Sequence, residues 1–213
     1  MKWILDNRSL IQERTVQHLR IALPPILLSF LLSLPIGWLA NRFRRSRALL
    51  LGGLGLLYAI PSLPLFIALP GILGTGLRDP TNIIIALSIY GVSLMARATT
   101  EGLQSVDVDV RQAATAMGFS GWSRFWKIEV PLAGPVLLAG IRVVAVSTIS
   151  LTTVGAVLGI KSLGLLFTDG TQRNIPEEIL AGIAMTLLIA LLVDTLLVAA
   201  GRVLLPWTKT EDR

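Results

Sequence analysis

Ile21–Ala40 is twenty consecutive residues without a charge. At 1.5 Å rise per residue such a run reaches about 30 Å, the thickness of a bilayer's hydrocarbon core. Two more charge-free runs follow at 48–69 and 81–96, and a run at 131–154 carries one charge, Arg142. A last run at 179–201 also holds one ionisable group, Asp194. A soluble chain of this size carries about 25% charged residues, whereas this one carries 15% and confines most of them between the apolar runs. These features predict an all-α integral membrane protein with five transmembrane helices, the whole of 1–213 forming one membrane domain. The first twenty residues hold Asp6, Arg8, Glu13, Arg14 and Arg20 and lack the pattern of a cleavable signal. They alternate polar and apolar residues and are expected to form an arm along the outer interface.

Lys and Arg concentrate on the cytoplasmic side of membrane proteins. An external N-terminus and internal C-terminus place eleven of the nineteen inside and seven outside, with Arg142 in the membrane. That orientation is the favoured one, and it puts residues 105–130 in the cytoplasm. The net charge of +6 is then read as loop cations that set orientation and meet anionic lipid, not as a nucleic-acid surface.

Enzyme chemistry finds little to work with. The chain has no cysteine and one histidine, His18, which falls at the edge of the first run and reads as an amphipathic filler. No G-x-x-x-x-G-K-[ST] segment exists to cradle a nucleotide phosphate. Neither a metal-ligand cluster nor a histidine-assisted nucleophile inside the spans is available, so no catalytic and no metal residues are assigned.

One segment differs from its surroundings: "QAATAMGFSGWSRFWKIEVP", Gln112–Pro131. Gln112, Ala113, Ala114, Met117, Gly118, Phe119 and Ser120 make a small-residue knob in which Gly118 stops or bends a short helix. If the part after it is helical, Phe119, Trp122, Phe125 and Trp126 share one arc, and Arg124 and Lys127 point the other way. That describes an aromatic brace at the membrane interface, carried through Ile128 to Pro131 at the first turn of the next span. From the residues alone, docking to another protein and simple wrapping of the bilayer surface are equally open.

The segment resembles the EAA signature of type I ABC-importer permeases: E-A-A, three residues, G, nine residues, I-x-L-P. Gln112, Ala113, Ala114, Gly118, Ile128 and Pro131 match it, while Gln112 replaces Glu and Val130 replaces Leu. "IPSLPLFIAL" (60–69), "GILGTG" (71–76), "ALSIYGVSLMARATTEGL" (86–103), "VPLAGPVLLAGIRVVAV" (130–146) and "VGAVLGIKSLGLLFTDG" (154–170) look like the osmoprotectant branch. The resemblance implies a permease core in the inner (cytoplasmic) membrane, with 112–120 inserting into a groove of a separate ATPase subunit. It implies an ATPase dimer using ATP and Mg, a second permease copy or paralogue, and an external binding protein. No cofactor is expected on this chain. The implied cargo is glycine betaine, carnitine, choline or proline betaine, with another small solute such as an amino acid as the alternative. A carrier independent of ATP lacks support, since neither paired repeats nor a coupling-ion site is visible.

Two further groups draw notice. Arg142 lies about 16 Å into its span and Asp194 about 10 Å into its own, counting 1.5 Å per residue. Charges at that depth find partners or water, so the two are expected either to pair or to line the path. Pro61, Ser62 and Pro64 are expected to kink the second span and free backbone carbonyls for a polar pathway.

Overall fold

The computed structural model describes residues 2–207, and every regular element among them is helical. After a short α1 (Lys2–Asp6), helix α2 (Arg8–Arg42) runs for 35 residues, about 52 Å. The expected interfacial arm is therefore not a separate element: from Arg8 onward it is the first part of the spanning helix. Pro24, Pro25 and Pro35 lie inside α2 without ending it. Its inward face repeats at helical spacing through Ile11, His18, Ala22, Ser29 and Ser33. This turns His18 inward. The expected interfacial filler is fully buried, and neither ring nitrogen has a hydrogen-bond partner.

The second apolar run does not make one kinked span. It makes α3 (Arg44–Ala59) and α4 (Ser62–Leu73), bent by 99° at the break. Proline forces the residue before it out of the helical region, and Ile60 is extended (φ −64°, ψ 127°) ahead of Pro61. Pro61 is extended too, which makes it the cap of α4, and Pro64 falls in the first turn of that helix, where its missing N–H is no loss. The loop after α4 is latched by fully buried Asn82, which accepts from Thr75 Oγ1 at 2.6 Å and donates to Gly76 O at 2.9 Å.

Helix α5 (Pro80–Ser105) is the central column, touching α2, α3, α4 and the later helix at Gly134–Thr152. Asp79 starts it by accepting the Thr81 N–H at 2.9 Å, which also holds the Asp79 carboxyl below its ordinary range. The helix extends nine residues beyond the expected end at 96. Thr99 and Thr100 are absorbed in the core by hydrogen bonds to Ser33 Oγ (3.2 Å) and Ala96 O (2.8 Å). The α2–α5 contact is close because small residues face each other. A Cβ on Gly91 would come within 1.9 Å of Ser29 Oγ, and one on Gly37 within 2.5 Å of Thr99 Cγ2.

The next span is α9 (Gly134–Thr152), extended by a 3-10 turn (Thr153–Leu158). The expected loop at 155–178 contains α10 (Gly164–Gln172), packed as a hairpin on the last helix, α11 (Pro176–Leu204). Helix α11 buries few residues. Leu187, Leu191 and Leu196 are exposed in the single chain, as suits a helix facing lipid. Among the described residues, four helices are long and apolar enough to cross a membrane, and the bent α3–α4 pair would make a fifth crossing.

Candidate functional site: the segment between the third and fourth spans

Where α5 ends at Ser105 the chain leaves the bundle and forms α6 (Val108–Ala116). Asp107 caps α6 by accepting the Asp109 N–H at 2.8 Å. Arg111 ties it back to α5 by donating from Nη2 to Leu103 O. The helix stops in a Schellman arrangement: Phe119 N–H reaches Ala114 O at 3.1 Å and Gly118 N–H reaches Thr115 O at 3.0 Å. Gly118 takes φ +87°, a left-handed conformation that an L side chain resists. Gln112, Ala113, Thr115, Ala116, Met117 and Gly118 are all exposed or nearly so, whereas Ala114 is buried beneath them. The result is a small-residue surface at the end of the bundle where α5 gives way to the next span, with Met117 70% exposed at its tip.

Ser120 then opens α7 (Gly121–Arg124) by accepting the Ser123 N–H at 3.2 Å. A π-helical turn follows, Phe125–Glu129, and runs into α8 (Val130–Leu132), which holds Pro131. Proline's ring would collide with the carbonyl four residues back in a regular helix, and the wider π turn relieves that register. Such turns re-aim side chains and recur at functional sites. Here the turn buries Glu129 and Phe125 together.

The brace has a fourth ring that the sequence did not suggest. Trp38 of α2 stands edge-on to Trp122 at 5.9 Å and to Phe125 at 6.2 Å. Trp126 meets Phe125 at 4.9 Å and Trp122 at 5.7 Å, and Arg42 lies over Trp38 at 5.8 Å. Phe119, expected in the same arc, is not in this cluster. It sits in the non-helical turn after Gly118, half-buried. Ile128 is half-buried as well, in the π turn below the rings.

Arg124 does not simply point away from the aromatic face, as the helical-arc reading expects. Its Nε donates to Glu129 Oε1 at 2.7 Å and its Nη1 to Thr115 Oγ1 at 2.7 Å. One guanidinium thus joins the knob (Thr115) to the buried carboxylate at the root of the next span (Glu129, 3% exposed). Gln112 lies on the rim of a shallow hollow with Arg111, Thr115 and Arg124. The carboxylate that serves the Arg124 cation is Glu129, so the uncharged Gln112 does not leave Arg124 without a counter-ion, whereas Arg111 in the same hollow forms no ion pair among the described residues.

The other two candidate groups lie elsewhere. Arg142 Nε and Nη2 donate to Asp194 Oδ1 and Oδ2 at 2.7 and 2.8 Å, a bidentate bridge between α9 and α11. Both oxygens of the carboxylate are occupied, and the guanidinium is half-exposed on the flank of the bundle. At the span break, the Ile60 carbonyl accepts from Tyr90 Oη at 2.7 Å and the Pro61 carbonyl from Leu65 N–H at 3.2 Å. The carbonyls expected to be freed at Pro61 are therefore engaged. Tyr58 stacks edge-on to Tyr90 at 5.7 Å and leaves its ring partly exposed.

Comparison with known proteins agrees with this architecture. An osmoprotectant import permease protein of Salmonella typhimurium (OsmW) is 31% identical over 207 residues, 96% of each chain. The glycine betaine/carnitine/choline transport system permease protein OpuCB of Bacillus subtilis is 27% identical over 206 residues, 97% of this chain and 94% of that one. Among solved structures, the methionine ABC transporter MetNI superposes with a TM-score of 0.82 at 16% identity, covering 93% of this chain and 98% of the other. The fold is that of an ABC-importer permease. Residues 29–210 match the family described as binding-protein-dependent transport system inner membrane component, and the chain belongs to that family of membrane-embedded ABC-importer permease subunits.

Proposed function

We propose that this chain is the permease of an ATP-driven importer for osmoprotectants such as glycine betaine, choline or carnitine. The observation that carries the coupling half of this reading is the α6–Gly118 knob: an exposed small-residue surface tied by one guanidinium to the root of a span. Motion imposed on Thr115 reaches Glu129 through Arg124, and from there α8 and α9. In this reading Gln112, Ala113, Ala114, Met117, Gly118, Phe119 and Ser120 seat in a groove of an ATPase subunit. Trp122, Phe125, Trp126, Ile128 and Pro131 hold the lever against the interface. ATP and Mg bind to the partner ATPase dimer, and this chain makes and breaks no bonds. A second permease copy or paralogue completes the path, which rocks between outward and inward access, and an external binding protein delivers cargo. The Arg142–Asp194 bridge fastens α11 to α9 without presenting a net charge.

The substrate class is supported by the cargoes after which the relatives above are named, since those relatives align with nearly the whole chain. The experiment is uptake into proteoliposomes holding the permease, its ATPase and its binding protein. Radiolabelled glycine betaine, choline and carnitine are compared with methionine and histidine. ATP-dependent accumulation of a quaternary amine supports the reading. Accumulation of the amino acids alone would replace the substrate class while leaving the coupling assignment standing.

A further inference from the structure

At the end of the bundle opposite α6, three cations converge on one cavity. Arg20 comes from α2, Arg78 from the connector into α5, and Lys161 from the connector after the 3-10 turn. With Gln17, Pro80 and Gly159 they enclose about 460 Å3. All three side chains are exposed, and no carboxylate lines the wall. None of the three forms an ion pair or a side-chain hydrogen bond with another described residue. The nearest acid in sequence, Asp79, is engaged in capping α5 through the Thr81 N–H. Gly159 adopts φ +77°, and a Cβ there would stand 3.2 Å from Arg78 Nε, so the glycine lets the guanidinium lie against bare backbone.

Like charges gathered around a concavity repel one another, and the low-dielectric walls focus their field on anything negative that enters. The cavity falls in the size range of ligand pockets, roughly 300–1,000 Å3, which leaves room for intruding side chains. Two features favour a protein over a lipid headgroup. Arg78 and Lys161 stand on connectors beyond the helix ends. Of the apolar side chains in the wall, Ile21 and Ile160 are buried and Ile84 is half-buried, so only Pro80 is exposed, which is little for an acyl chain to lie along. Helix α11, the one most open to lipid, contributes nothing to the wall.

We propose that Arg20, Arg78 and Lys161 form the receiving site for acidic side chains on the surface of the substrate-delivering binding protein. The proposal rests on the importer assignment above and specifies where and by what chemistry delivery occurs. Opposite charges across such a contact speed encounter and fix register, and a partner held by salt-screened contacts can leave after handing over its cargo.

The test uses the complete importer in proteoliposomes with its cognate binding protein, titrated at low and high salt. Arg20→Glu, Arg78→Glu and Lys161→Glu are each expected to raise the half-saturating binding-protein concentration about tenfold. They should also flatten its salt dependence and leave ATP hydrolysis without binding protein unchanged. Arg20→Gln, Arg78→Gln and Lys161→Gln are milder versions, with smaller shifts in the same direction, should a reversal impair assembly. A matching Glu→Lys change on the binding protein should restore the low half-saturating concentration. Unchanged half-saturation and unchanged salt dependence in all six variants, with uptake intact, would overturn the docking site and leave the importer assignment standing. An effect that instead follows phosphatidylglycerol content, with binding-protein titration unaltered, would overturn it in favour of lipid. Absence of binding-protein-dependent uptake in the unmodified complex would count against the importer assignment itself.

Discussion

Arg124 is the one cation that touches both the knob and the span behind it, so its removal separates two things that otherwise move together. It makes two hydrogen bonds at 2.7 Å, to Thr115 Oγ1 and to Glu129 Oε1. A hydrogen bond to a charged group contributes about 1.5–3 kcal/mol. Arg124 keeps 27% of its side chain exposed, so the lower end applies. Thr115 is exposed and can bond water in place of the guanidinium, so the loss is set by the single bond to buried Glu129, about 1.5 kcal/mol, which changes the population of the seated arrangement roughly tenfold. Arg124→Ala is therefore expected to preserve the ATPase's own turnover while import per ATP hydrolysed drops about tenfold. Arg124→Lys, which keeps the charge and loses the fork, should recover only part of it. Thr115→Val, which removes the weaker bond alone, should cost less. The assay is simultaneous measurement of phosphate release and radiolabelled uptake in proteoliposomes, with circular dichroism confirming that the variants fold. An Arg124→Ala complex with the unmodified ratio of import to hydrolysis would refute the lever.

Three other outcomes follow from the packing and the charges. Gly91→Ala should destabilise the α2–α5 contact by about 1–3 kcal/mol, since its Cβ meets Ser29 Oγ at 1.9 Å and Ser29 Cβ at 2.8 Å; adding Ser29→Gly should recover much of the thermal stability in detergent, and failure of that rescue would place the strain elsewhere. Gln112→Glu should be tolerated and gain no more than about 1 kcal/mol from the neighbouring Arg111 and Arg124; complex assembly measured by co-purification checks it, and a loss of assembly would mean that the ATPase groove requires a neutral side chain. Arg142→Leu and Asp194→Leu should each lower membrane yield and uptake, whereas the double substitution should do better than the sum of the singles; a purely additive result would assign the two residues separate roles.

The features readable along the chain are those set by local pattern. The charge-free run at 21–40 marks its helix because nothing but spanning satisfies twenty such residues. The Gly118 stop and the apolar start at Pro131 follow from the same local chemistry. Arg142 and Asp194 drew notice as isolated charges in apolar runs, and the fold brings them to 2.7 Å. What escaped the reading depends on where distant segments meet. Trp38 joins the brace from a helix more than eighty residues before Trp122, and no periodicity links them. Nothing in the sequence singles out Glu129, which the π turn, a departure from helical spacing, turns inward. Phe119 leaves the arc for a different reason, because it sits in the non-helical turn after Gly118. Pro61 and Pro64 announced a disturbance in the second run but not its size, because whether a proline kinks or breaks a helix depends on what receives the freed groups. Here Tyr90 accepts that task by donating to Ile60 O, and the chain turns by 99°. His18 could not be placed, since its burial follows from α2 continuing without a break past Arg8.

The central claim is that the surface around Gly118 is covered by an ATPase subunit in the working importer. The chain contains no cysteine, so Met117→Cys introduces a unique thiol at the most exposed point of the knob. Its rate of maleimide labelling in membranes is measured with the permease alone and with the assembled, transport-competent complex. The account predicts ready labelling of the free permease and strong protection on assembly, with the protection changing when ATP is added. Equal labelling in both states, with transport intact, would contradict it.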